Sequence, residues 1–151
     1  MFKLILVLAF VSTILAQTPV KPCGNGKILP KAVYFGGRQS FCSQPPCILK
    51  RGKTGITEID FTSPINTKTI MPKATAKVFG MTIDLKLGVT PASACALLQK
   101  GCPLRKGDLT SIKIAKPVEK SAMVGTADVE FSLVGDNNQS IFCYKLKTTV
   151  V

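Results

Sequence analysis

Six cysteines, two close pairs of carboxylates and one lysine in an apolar strand phase are the residues of this 151-residue chain whose types and spacing could do chemistry. Cys42-x4-Cys47 and Cys95-x6-Cys102 could supply four thiolates to a soft metal or close two short covalent loops. Glu58 with Asp60, and Asp128 with Glu130, are carboxylates two positions apart, the raw material of general acid and base chemistry. The chain has no histidine. Triads of the Ser-His-Asp or Cys-His type, imidazole proton shuttles and His-bearing zinc sites are therefore excluded, and only lysine or carboxylate chemistry stays open.

The elements that would position these groups read as strands. Met81, Ile83, Leu85, Leu87 and Val89 alternate with Thr82, Asp84, Lys86 and Gly88, as a strand with one wet face requires. Val129, Phe131 and Leu133 alternate with Asp128, Glu130 and Ser132; Ile112 and Ile114 bracket Lys113; Phe142, Tyr144 and Leu146 bracket Cys143 and Lys145; Ile59 and Phe61 bracket Asp60. Pro45-Pro46, Arg51-Gly52, Ser63-Pro64, Thr90-Pro91, Lys116-Pro117 and Gly135-Asp136-Asn137-Asn138 punctuate the runs. Short strands at this spacing predict an all-β sandwich or barrel, with a helical turn or two only over Ala92 to Lys100. The same alternation puts all four carboxylates on wet faces, without the burial that tunes an acid or a base, so the expectation is a protein that is not an enzyme.

Lys3, the apolar run to Leu15 and the small residue Ala16 read as a secretory signal peptide over residues 1–16, which leaves one domain over residues 17–151. An oxidising route turns six cysteines into three disulfides more readily than into metal ligands. Of the fifteen pairings open to six cysteines, spacing favours Cys42 with Cys47 across two prolines and Cys95 with Cys102 across a short loop, which leaves Cys23 and Cys143 near the two ends. No metal and no cofactor is implied.

Cys23-Gly24, the Cys42-x4-Cys47 loop with two prolines, Phe61-Thr62-Ser63, the Cys95–Cys102 loop followed by Pro103, and Asn138-Gln139-Ser140-Ile141-Phe142-Cys143 occur in that order. The arrangement resembles the ML lipid-recognition family, on the branch of the Niemann-Pick type C sterol carrier and its arthropod relatives. The resemblance covers Lys21 to Val151. It implies an immunoglobulin-like β-sandwich of two antiparallel sheets with an apolar cavity between them, and disulfides Cys23–Cys143, Cys42–Cys47 and Cys95–Cys102. Carried over by position, it implies that Leu85 and Val118 stand where the carrier lines its cavity, that Phe131 and Tyr144 replace two inward tryptophans, and that Ala122, with Met123 beside it, replaces a tyrosine at the mouth. With inward alternation added, the candidate lipid-binding residues are Phe61, Ile83, Leu85, Val118, Met123, Phe131, Leu133, Tyr144 and Leu146.

The function so implied is that of a secreted or lumenal carrier, monomeric, that holds a sterol or another hydrophobic small molecule and transfers it between membranes or through aqueous fluid. The alternative is an extracellular carrier of fatty acids or semiochemicals, or a protein that recognises microbial lipid in innate immunity. The late endosomal or lysosomal lumen is the intracellular location that fits the first reading. Lys116 falls in the inward phase of its strand, where it can reach the rim and meet a fatty-acid carboxylate. The formal net charge of +12 is spread over turns and solvent faces; it suits a soluble carrier, with an anionic membrane surface or a membrane sterol transporter as the expected partner. Nucleic acid is not expected, because no aromatic-studded basic stripe is present. Asn138-Gln139-Ser140 is an N-glycosylation sequon in a polar turn.

Overall fold

Period-two alternation turns into strands because it lets one face of a pleated sheet bury its side chains while the other stays wet. The computed structural model describes residues 16–151, so the segment read as a signal peptide lies, except for Ala16, outside the described residues. The strands are β1 (Lys21–Pro22), β2 (Ala32–Phe35), β3 (Cys47–Leu49), β4 (Thr54–Thr62), β5 (Met71–Val78), β6 (Met81–Leu85), β7 (Leu109–Pro117), β8 (Gly125–Val134) and β9 (Ser140–Val150). The strand that opens at Met81 stops at Leu85, short of Leu87 and Val89. Between β6 and β7, α1 (Pro91–Ala94) runs into a 3-10 turn over Cys95–Leu97. Thr90 starts it with a capping box: its side chain accepts from the Ser93 amide while the Ser93 side chain accepts from the Thr90 amide.

Two sheets face each other. The larger has the order β1-β9-β8-β5-β6, with β3 also pairing β9, and the smaller has the order β2-β4-β7. Every pairing is antiparallel except that of β3 with β9. This makes β6 an edge strand of the larger sheet and β7 an edge strand of the smaller. A two-residue turn closes the β5–β6 hairpin with both residues in the left-handed region, Phe79 at φ 49° and Gly80 at φ 76°. Glycine takes that conformation freely, whereas a bulky side chain such as Phe79 rarely does.

The packed core sits toward one end of the sandwich. Phe61, Phe142, Ile59, Ile70, Leu104, Ile112, Leu133 and Ile141 are all under 2% exposed, and the Phe61 and Phe142 rings meet at 5.1 Å. Phe131 stacks between Phe142 and Tyr144 at 6.1 and 5.6 Å. Cystines Cys23–Cys143, Cys42–Cys47 and Cys95–Cys102 use all six cysteines, so no thiol among the described residues is left for a metal.

Candidate ligand cavity between the sheets

The inward side chains shrink along the strands, and that taper opens the sandwich at one end. On β4 the inward positions run from Phe61 and Ile59 to Thr57 and Gly55; on β8 they run from Leu133 and Phe131 to Val129 and Ala127. On β5, Ala74 and Ala76 face the same space, paired across the sheet with Phe131 and Val129. On β9, Tyr144 and Leu146 give way to Thr148 and Val150. Sheets held at a spacing set by Phe61, Leu133 and Phe142 at one end cannot close on Gly55, Ala76 and Ala127 at the other. A cavity of about 530 Å³ results. That is far larger than the voids of a normal interior and falls within the range of small-molecule sites.

Its walls are almost wholly apolar. Ala76, Val78, Ile83, Leu85, Val129, Phe131, Tyr144 and Leu146 line it from the larger sheet, and Thr57, Ile114 and Lys116 from the smaller. Pro117 at the end of β7, with Val118, Ala122, Met123 and Val124 from the loop between β7 and β8, closes one side of the mouth. Phe79 at the hairpin tip is 90% exposed, and Met123 and Val124 are 65% and 55% exposed, so the rim offers large apolar groups to solvent. Burial raises the phenol pKa of Tyr144 well above its ordinary value.

Ile83, Leu85, Val118, Met123, Phe131, Tyr144 and Leu146 therefore stand together on the cavity wall. Phe61 and Leu133, which the alternation groups with them, do not: at 1% and 0% exposure they lie in the packed core. The reason is position along the strand, since both sit at the closed end, where the two sheets touch. Ile83 and Leu85 are not core residues either; β6 has a neighbour on one side only, and they remain 40% and 37% exposed. Alternation had already phased Ile114 and Val129 inward, and both belong to the wall. Ala76 and Gly55 carried no signal as single residues. Their meaning lies in the small size of several inward positions at one level.

The carboxylate pairs lie on the opposite faces of their strands and do not line the cavity. Arg38 spans Glu58 and Asp60, with Nε 3.2 Å from Glu58 Oε2 and Nη1 3.0 Å from Asp60 Oδ2, and its guanidinium stacks 4.6 Å over the Tyr34 ring. The Arg38 guanidinium, joined by the Ser111 hydroxyl, holds the Asp60 carboxyl below its ordinary pKa. Asp128 is exposed opposite Lys147, and Glu130 Oε1 lies 3.4 Å from the cystine sulfur of Cys143. Asn138 is exposed in the turn after β8, with its Oδ1 accepting from Lys73 Nζ at 2.7 Å.

Known proteins resemble this chain in sequence and fold. Over 147 residues the chain is 29% identical to the NPC intracellular cholesterol transporter 2 of Bos taurus, covering 96% of this chain and 93% of that protein. Over 138 residues it is 27% identical to the mite group 2 allergen Lep d 2 of Lepidoglyphus destructor, covering 91% of each. The crystal structure of a Niemann-Pick type C2 protein from Japanese carpenter ant superposes with a TM-score of 0.72 at 16% identity, covering 88% of this chain and 99% of that one, which shows the same fold. The family model for the ML domain matches residues 17–150. With its two-sheet sandwich, three cystines and that match, the chain belongs to the ML domain family.

Proposed function

We propose that this protein holds one hydrophobic small molecule, a sterol or a fatty acid, in the cavity between its sheets and carries it through a lumenal or extracellular fluid. The observation that carries the reading is the apolar cavity of about 530 Å³ with an open mouth. A guest that removes several hundred Å² of apolar surface from water gains on the order of 10 kcal/mol at roughly 25 cal/mol per Å², before the costs of association. That supports micromolar or tighter binding without an ion pair. The kinship with a protein named a cholesterol transporter supports a lipid as the guest. No bond-making step is assigned to the protein, whose carboxylate pairs face away from the cavity.

The exposed rim of Phe79, Met123 and Val124 supports loading at a bilayer, and the net charge of +12 favours an anionic one, at about 1 kcal/mol per basic residue near the surface. Native mass spectrometry of protein purified from a secreting host, before and after organic extraction, tests the reading. The expected result is one copurifying lipid per chain, lost on extraction and regained on incubation with sterol or fatty acid. A chain that carries no lipid and takes up none from either class would refute it.

The exposed sequon supports a glycan on Asn138. Protein from an eukaryotic secreting host is expected to lose mass in a single step on treatment with an amidase that removes N-glycans. Asn138→Gln should migrate at the deglycosylated position from the start, and an unshifted wild type would dismiss the modification.

A further inference from the structure

We propose that Lys116 is the headgroup site of this cavity and that the ligand it selects is an acyl lipid with a free carboxylate. The proposal rests on the cavity reading above and adds the chemical class of the guest.

Lys116 follows Ile112 and Ile114 on one face of β7, and that face is the inward one: Ile112 is fully buried, while Ile114 and Lys116 both line the cavity. An inward phase at the end of a strand puts the four-carbon stem against the apolar wall and the ammonium at the mouth. Its cross-strand partner is Gly55, which offers no side chain to cover the stem or to pair with the charge.

The ammonium is placed as well as present. Lys116 Nζ donates to the backbone carbonyl of Lys86, just beyond β6, so the side chain reaches across one side of the sandwich from edge strand β7 toward edge strand β6. An ammonium has three donors, and this bond uses one of them. Glu119 is the single carboxylate on the cavity wall, and no ion pair within 4.0 Å joins any carboxylate to Lys116 among the described residues. Glu58, Asp60, Asp108 and Asp128, by contrast, are engaged by Arg38, Lys100, Lys113 and Lys147.

A cation with free donors at the rim of an apolar chamber discriminates by charge. A carboxylate reaching it forms a charge-assisted bond, about twice as strong as one to a neutral group. An ester or an alcohol offers a neutral acceptor only. A single acyl chain also adapts to a wall of Leu85, Ile114, Met123 and Val129 more readily than a rigid ring system would.

The test titrates delipidated protein with octadecenoic acid, its methyl ester, octadecenol and cholesterol, using the wild type, Lys116→Met and Lys116→Arg. The wild type is expected to favour the acid over the ester by about tenfold or more. Lys116→Met should reduce that preference to within about twofold, chiefly by weakening the acid, with a circular dichroism spectrum like that of the wild type to show that the variant is folded; Lys116→Arg should keep it. Equal affinity for acid and ester in the wild type, or a preference that survives in Lys116→Met, overturns the headgroup assignment and leaves the cavity reading standing. Failure of all four compounds to bind overturns both.

Discussion

Ala76→Trp should weaken lipid binding by on the order of a hundredfold or more while leaving the sandwich folded. Ala76 sits on the inner face of the larger sheet, paired with Ile83 on one side and Val129 on the other, and all three line the cavity. In a close-packed interior an added indole would cost about 1–3 kcal/mol or more through strain. Here it enters space already empty, so the expected change in stability is within about 1 kcal/mol. The native chain has no tryptophan, so the new side chain is also its own reporter, with blue-shifted emission expected if it fills the cavity. Leu133→Ala is the counterpart. Leu133 is fully buried at the closed end, so its truncation should cost about 2–5 kcal/mol of stability yet leave the affinity of the folded protein nearly intact. Urea melts and a fluorescent-lipid displacement assay read the two effects separately. Undiminished binding by a folded Ala76→Trp would place the guest somewhere other than between the sheets.

Removing the Cys23–Cys143 cystine should be the most damaging of the three cystine deletions. That bond joins residues 120 apart and ties the segment after β1 to the middle of β9, whereas the other two span 5 and 7 residues. Freeing the long loop restores the most conformational freedom to the unfolded chain: about 5 kcal/mol in chain-entropy terms, against about 2 kcal/mol for either short loop. In a domain of this size that corresponds to a fall in Tm of about 10–20 °C. The double variant Cys23→Ala with Cys143→Ala, compared with Cys42→Ala with Cys47→Ala by thermal circular dichroism, gives the ordering. Equal falls would mean that the unfolded chain is not the main seat of the effect.

The strands were readable because alternation reports which face of a strand is dry. Val129 and Phe131 on β8, Ile59 and Phe61 on β4, and Tyr144 and Leu146 on β9 all point inward as their phase requires. The limits of that signal show in three places. Phe61 and Leu133 share the phase of the wall residues but lie at the closed end of their strands. Ile83 and Leu85 share it too, yet stay partly exposed because β6 is an edge. Leu87 lines the cavity from beyond the end of its strand.

Sequence alone therefore determined the strand faces, the absence of imidazole chemistry, the cystine pairing and the inward phase of Lys116, since each depends on residue type or on separation along the chain. The strand pattern was silent on a hollow interior, which only the family resemblance implied, and the tertiary structure decided at which end it opens. Whether facing sheets meet depends on the summed size of side chains brought to one level by separate strands: Gly55 from β4, Ala76 from β5 and Ala127 from β8 leave a gap that Phe61, Leu133 and Phe142 do not. No one strand carries that sum, so it comes into being only when the two layers are placed face to face.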